Sequence, residues 1–232
     1  MLAAEAVEKA FGPSRALRGG RLHIVTGELV AIMGPSGSGK TTLLHCLAGI
    51  LQPDAGAVIY AGRRIDHLGD AERSRLRRTE FGFVFQFGQL VGELTALENV
   101  ALPLLLNGSR RRAAMAEARA WLDTFGLSSL AGRRPGELSG GESQRVAVAR
   151  ALVTGPRIIF ADEPTGSLDT AAGAVVLKTL TAAARQRDVA VVLVTHDADV
   201  GSYADRIVRV RDGLVGVTDE AAAMPSPQEV RS

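Results

Sequence analysis

"LVAIMGPSGSGKTTLLHCLAG" runs from Leu29 to Gly49. Its first five residues are apolar, the pattern of a strand buried on both faces. "GPSGSGKT", Gly34 to Thr41, follows without a break and matches G-x-x-x-x-G-K-[ST] in full. From Lys40 onward, Leu43, Leu44, Leu47 and Ile50 recur at helical spacing, which predicts one apolar helix face. Gly34, Gly37 and Gly39, with Pro35, Ser36 and Ser38 between them, let backbone N–H groups wrap a phosphate chain. The following helix dipole adds favourable charge. Lys40 is expected to reach the β- and γ-phosphates, Thr41 to ligate Mg²⁺ and Thr42 to touch the α-phosphate. A chance glycine-serine turn would lack the strand before and the helix after.

The 232 residues are enough for one large domain or two packed lobes, and an apolar content of 46% fits an α/β protein with a sizeable core. The single cysteine, Cys46, excludes a disulfide framework and reads as a small core side chain within "LLHCLAG". A net charge of +2 demands no nucleic-acid partner. Basic residues cluster at "ERSRLRR", "SRRR" and "GRR", which read as solvated helix faces and loops. The N-terminus carries charges and no long apolar stretch, so no signal peptide is expected. No run approaches the roughly 18 apolar residues of a membrane span. A membrane role would need a separate partner chain.

Around the phosphate loop the pattern is α/β. Residues 1 to about 30 read as short strands, with a turn at Thr26-Gly27, and "AVIYAGRRI" as a hairpin folded at Ala61-Gly62. "FGFVFQ" (81–86) is a strand. Helical periodicity then takes over. "TALENVALPLLLNG" opens with Thr95 and Glu98 at capping-box spacing. "SRRRAAMAEARAWLDTFG" is expected to be capped by Ser109 and stopped by Gly126, with Ala114, Ala118, Trp121, Leu122 and Phe125 on one face. "RIIFAD" and "VAVVLVTH" are buried strands around a helix at 170–187. "RIVRVRDGLVGV" is a hairpin turned at Asp212-Gly213. The expected fold is a P-loop NTPase core (1–86 and 151–218), with an antiparallel β subdomain, a helical insertion at 87–150 and a mobile polar tail at 219–232.

Four further positions point to phosphoryl chemistry. Asp162 and Glu163 end the apolar strand "IIFADE". Asp162 is suited to hold Mg²⁺, and Glu163, pointing elsewhere, to polarise the attacking water. His196 ends the next strand, at the edge where α/β sheets place ligands. Gln86 offers a neutral amide to Mg²⁺ or water. "LSGGESQRVAVARAL" (138–152) adds a second helix start. Ser139 and Glu142 have capping-box spacing, and Gly140 and Gly141 leave that helix end open to an anion. The chain's own phosphate loop already has its helix. The second anion site therefore suggests the γ-phosphate of ATP held by another subunit.

On these motifs the sequence resembles the ATP-binding subunit of an ABC transporter, in the family's order and over nearly the whole chain. The resemblance implies that Phe11 stacks on adenine and that "LSGGE" is the signature motif. It makes "SLD" (167–169) the dimer-contact loop and His196 the switch histidine. It implies ATP and Mg²⁺ as cofactors, an ATP-dependent dimer, and a membrane permease as partner at the cytoplasmic face of the inner membrane. Many members carry tyrosine in place of Phe11 and glutamine in place of Glu142. "FGFVFQFGQLVGELTALENVALPLLL" and "ADEPTGSLD" further resemble the branch serving lipoprotein release, macrolide-type efflux and cell division. Within that branch the alternative is a signalling ATPase that controls cell-wall hydrolases and transports nothing. A soluble ABC protein of translation or repair would carry tandem cores or a coiled-coil insertion. A small-metabolite P-loop kinase would need no signature helix.

Overall fold

The computed structural model describes residues 1–217; the tail expected from Asp219 lies outside the described residues. The chain opens with a hairpin of β1 (Leu2–Phe11) and β2 (Ser14–Ile24), far longer than the short strands expected. Register shifts, with Ala6 at φ 48 and Gly19 at φ 91, break the period-two alternation that would have joined them in the sequence. β3 (Leu29–Met33) is buried throughout and leads through the phosphate loop into α1 (Lys40–Leu47). Leu43, Leu44 and Leu47 face the core. Ile50 does not share that face: the helix stops at Leu47, Gly49 turns with φ 63, and Ile50 is exposed.

β4 (Ala55–Tyr60) and β5 (Arg63–Arg64) form the expected hairpin, with Ala61 and Gly62 both left-handed. α2 (Asp70–Thr79) follows, and it was not expected as a distinct element. It buries no residue, so no apolar stripe marks it. Its signal is charge: Asp70 and Glu72 in the first turn, Arg77 and Arg78 in the last, complementing the helix dipole.

β6 (Phe81–Phe85) leads into the helical section. α3 (Ala96–Leu106) starts with the full Thr95–Glu98 capping box. α4 (Arg111–Thr124) is not capped by Ser109. Its N-cap is Arg110, without a side-chain bond, which leaves Ser109 one residue outside the cap position, with its N–H on Leu104 O at the end of α3 at 3.0 Å. Gly126, at φ 66, ends α4 as expected. α5 (Gly140–Leu152), β7 (Ile158–Asp162), α6 (Thr170–Gln186), β8 (Ala190–Thr195), the short α7 (Ala198–Gly201) and the hairpin β9 (Arg206–Arg211) and β10 (Leu214–Val217) complete the described chain.

Two sheets result. The antiparallel one has order β2-β1-β4-β5; the other, parallel except for its edge strand β10, has order β10-β9-β3-β8-β7-β6. Its central strands are buried on both faces, and alternate residues serve two cores. Val30, Ile32, Phe160, Val192 and Val194 pack with α1 and the antiparallel sheet. Leu29, Ile159, Ala161, Val191 and Leu193 pack with α3 to α6. Among the described residues no helix is long and apolar enough to cross a membrane.

Trp121 anchors the second core. It is buried, meets Phe125 edge-on at 5.5 Å between ring centroids, and lies under Arg187, whose Cζ is 4.3 Å from the ring centroid. Trp121→Ala is expected to cost about 3–5 kcal/mol, read by urea unfolding followed by circular dichroism. A loss under about 1 kcal/mol would mean that the section can collapse around the gap.

Candidate active site

The phosphate loop is shaped by what it cannot hold. A Cβ at Gly34 would lie 2.0 Å from Val210 O, and one at Gly39 2.3 Å from Ala16 O. The loop is wedged between β9 and β2, and only glycine fits at those two points. Ser38 is buried, whereas Pro35, Ser36 and Gly37 are exposed. Gly39 supplies no side-chain cap to α1, and no acidic residue occupies its first turn. The first N–H groups of the helix are therefore open to an anion. Lys40 is buried and folds back on the loop, donating to Gly34 O at 2.9 Å and Pro35 O at 3.0 Å. Thr42, within the first turn, is half-buried.

Parallel pairing brings the other groups to the same sheet edge. Phe85 is in register with Asp162, and Asp162 with Val194. Gln86, Glu163 and His196 thus emerge just beyond one row. Thr41, Gln86, Asp162 and Glu163 line a common cavity of about 270 Å³ with Phe85, Phe87 and Gln89. Thr41 Oγ1 donates to Asp162 Oδ1 at 3.3 Å. Burial pushes the Asp162 carboxyl above its ordinary range, and the Thr41 bond opposes that shift. A partly buried carboxylate beside a hydroxyl and an amide is an oxygen donor set that fits Mg²⁺, a cation that keeps several waters and substrate oxygens. Glu163 has φ 46, which turns it away from Asp162. Its Oε1 lies 2.8 Å from His196 Nδ1, so His196 joins the group through Glu163. Phe11 stands apart from this cavity, half-exposed at the end of β1 with Lys9 Nζ 5.8 Å from its ring centroid.

The second helix end occupies its own cavity. Ser139 Oγ accepts the Glu142 N–H at 3.3 Å, and Glu142 Oε2 accepts the Ser139 N–H at 2.8 Å, completing the capping box of α5. The glycines have a packing reason that the sequence reading lacked. A Cβ at Gly140 would sit 3.1 Å from Leu168 Cδ2, and one at Gly141 3.2 Å from Ala172 Cβ. Residues 139–142 line about 480 Å³ together with Arg145 and the segment that starts α6, sharing no residue with the Thr41–Glu163 cavity.

Three side chains grip the loop after β6: Gln144 and Arg150, which the sequence did not single out, and Ser167 of the "SLD" segment. Gln144 Nε2 donates to Phe85 O at 2.8 Å, Ser167 Oγ to Gln86 O at 2.8 Å, and Arg150 to Gly88 O and Gln89 O at 2.6 and 2.8 Å. Gln144 was visible in principle. It interrupts the apolar stripe of Val148 and Ala151 on α5 and is buried there. The partners are backbone carbonyls, which carry no sequence signal.

A glycine-rich loop between the buried parallel strand β3 and a helix, with a carboxylate pair at the end of β7, one strand beyond the adjoining β8, defines a P-loop NTPase. Residues 17–166 match the ABC transporter family, and the chain belongs to it. As a member it binds and hydrolyses ATP. It is 43% identical to lipoprotein-releasing system ATP-binding protein LolD 2 of Caulobacter vibrioides, over 92% of this chain and 95% of that one. It is 45% identical to the pyoverdine export ATP-binding/permease protein PvdT of Pseudomonas entomophila, over 96% of this chain but 35% of that longer protein. A dimeric post-hydrolysis structure of the ATP-binding cassette MJ0796 with ADP and phosphate superimposes with a TM-score of 0.87 at 38% identity, covering 95% of this chain and 98% of that one.

Glu142 makes the pH dependence of the signature helix testable. Hydrogen bonding from Ser139, its backbone N–H first, holds the Glu142 carboxyl below its ordinary range. A depressed carboxyl stabilises the fold above the unfolded-state value, and that gain is lost as pH falls through the folded-state value. Glu142→Gln is expected to be less stable than wild type at neutral pH, with the gap closing through the carboxylate range. Urea unfolding across pH reads this; a gap independent of pH would mean that the side chain caps without its charge.

Proposed function

We propose that this chain is the ATPase subunit of a bacterial export or extraction transporter, that it dimerises on ATP, and that it drives a separate membrane permease from the cytoplasmic face of the inner membrane. The observation that carries this reading is that one chain has two glycine-bearing helix starts in cavities that share no residue: α1, uncapped, and α5, whose capping box uses the Ser139 and Glu142 N–H groups and not those of Gly140 and Gly141. One end holds the chain's own nucleotide. The other, at Ser139–Glu142, has a role only if a second copy brings its nucleotide to it. The dimeric cassette MJ0796 and the fused permease of PvdT support the reading.

Lys40 and the loop amides hold the phosphates, and Phe11 stacks on the adenine. Thr41, Gln86 and Asp162 supply ligands to Mg²⁺, which when bound neutralises charge on the phosphate oxygens. Glu163 takes a proton from the water that attacks the γ-phosphorus as the bond to the β–γ bridging oxygen breaks. His196 holds Glu163 and the γ-phosphate in register. Ser139 and Gly141 close the opposite site in trans. Loss of the γ-phosphate removes the link between the halves, and the dimer opens.

The core (1–86 and 151–217) and the helical lobe (87–150) flank a groove of about 490 Å³. It is floored by Phe81, Phe83, Phe85, Leu102 and Leu106 and edged by arginines, including Arg77 and Arg78. This groove takes the cytoplasmic helix of the permease. Crosslinks from that helix to residues 86–105 are expected, and crosslinks confined to other surfaces would move the docking site elsewhere.

Glu163→Gln is expected to lower turnover by at least about a hundredfold, as for loss of a general base. It is also expected to leave a stable ATP-bound dimer. Phosphate release and light scattering with Mg-ATP read the two effects. Normal turnover would remove Glu163 from its role. A tagged Glu163→Gln chain, captured from detergent-extracted membranes with Mg-ATP, should bring the permease with it.

A further inference from the structure

The loop from Phe85 to Gln89 has four of its five carbonyls bound by side chains that lie far away in sequence. Its conformation needs the help. Gly88 and Gln89 are successive left-handed residues, at φ 68 and φ 45, and glutamine is costly there. Gly88 also passes close to α5: a Cβ on it would lie 3.3 Å from Gln144 Oε1. The geometry is held from α5. Gln144 takes one carbonyl, and the planar fork of Arg150 takes two, Nη2 on Gly88 O at 2.6 Å and Nη1 on Gln89 O at 2.8 Å.

Arg150 is an unusual way to fasten a loop. Burial disfavours its charge, and among the described residues no acidic group offsets this. A guanidinium so placed is expensive unless its donors are matched, and the two carbonyls match a fork that an ammonium cannot reproduce. The residue also stands at a junction. It lines the groove between core and helical lobe, it binds the loop that carries Gln86, and it lies ten residues along α5 from Gly140, about 15 Å from the signature end.

We propose that Arg150 is a positioning residue for ATP hydrolysis: by gripping Gly88 and Gln89 it locks the Gln86 loop to the signature helix, so that closing on the partner's nucleotide and placing Gln86 at the chain's own nucleotide are one movement. This rests on the roles given above to Gln86 and to the signature end. Gln144 and Ser167 hold the preceding carbonyls and define the loop's starting point.

Arg150→Lys keeps the charge but loses the fork. Its kcat is expected to fall roughly tenfold while KM for ATP moves less than about twofold, the pattern of lost transition-state placement with binding retained. Combined with Gln86→Ala, it should lose no more than the slower single variant, because the two act as one unit. Amide hydrogen exchange of the nucleotide-free full chain should quicken about tenfold in residues 86–91 and stay unchanged in β3 and β8, reporting local opening without global unfolding. If Arg150→Lys does not fold, Gln144→Met, close in volume, should give the same exchange signature. Unchanged exchange in 86–91, additive losses in the double variant, or a KM that rises as far as kcat falls would each overturn the proposal. Wild-type kcat in Gln86→Ala would instead sink the Gln86 role, and the exchange result would then decide by itself whether Arg150 holds the loop.

Discussion

Strand β3 is buried on both faces, and the loop that leaves its carboxyl end passes between Val210 O and Ala16 O, each too close to admit even a methyl group at Gly34 or Gly39. The other parts of the site are arranged about that constraint. The wedge fixes where α1 begins and leaves its first N–H groups uncapped. The strands on one side of β3 run parallel to it, so the groups that follow β6, β7 and β8 reach the same edge. The site is thus a property of strand register before it is a property of any side chain.

Helix α5 carries two kinds of work on different faces. Its N-terminus is closed by the Ser139–Glu142 box and packs through Gly140 and Gly141 against the segment that begins α6. Its apolar body fills the core shared with α3, α4 and α6. Its polar side chains, Gln144 and Arg150, turn to the loop after β6. Three hydrogen bonds from these two side chains tie the helix to that loop. The same helix thus joins the signature end to the loop that carries Gln86.

Much of this was legible in the sequence where local chemistry decides. β3 begins and ends where its apolar run does, and both capping boxes form as their spacing predicts. The hairpin turn at Asp212-Gly213 follows from residue type, and that at Ala61-Gly62 from its glycine, although Ala61 is also left-handed. The sharing of one cavity by Thr41, Gln86, Asp162 and Glu163 could be anticipated because each follows a strand of one parallel sheet. What escaped was set by partners distant in sequence. α2 has no buried face to create a period. Ser109 has cap chemistry, but the turn that ends α3 includes its N–H, and α4 starts one residue too late for it to cap. The grips of Ser167, Gln144 and Arg150 end on carbonyls, and every residue has one of those.

Trp121 is the only tryptophan of the chain, and it sits at the seam between α4 and the end of α6, edge-on to Phe125 and beneath the Arg187 guanidinium. A cation over an indole face shifts the energy of its excited state, and a buried indole emits differently from a hydrated one. The protein therefore carries its own optical gauge. Light absorbed near the red edge of the protein band reports from this seam alone, with no label attached and no second tryptophan to blur the signal.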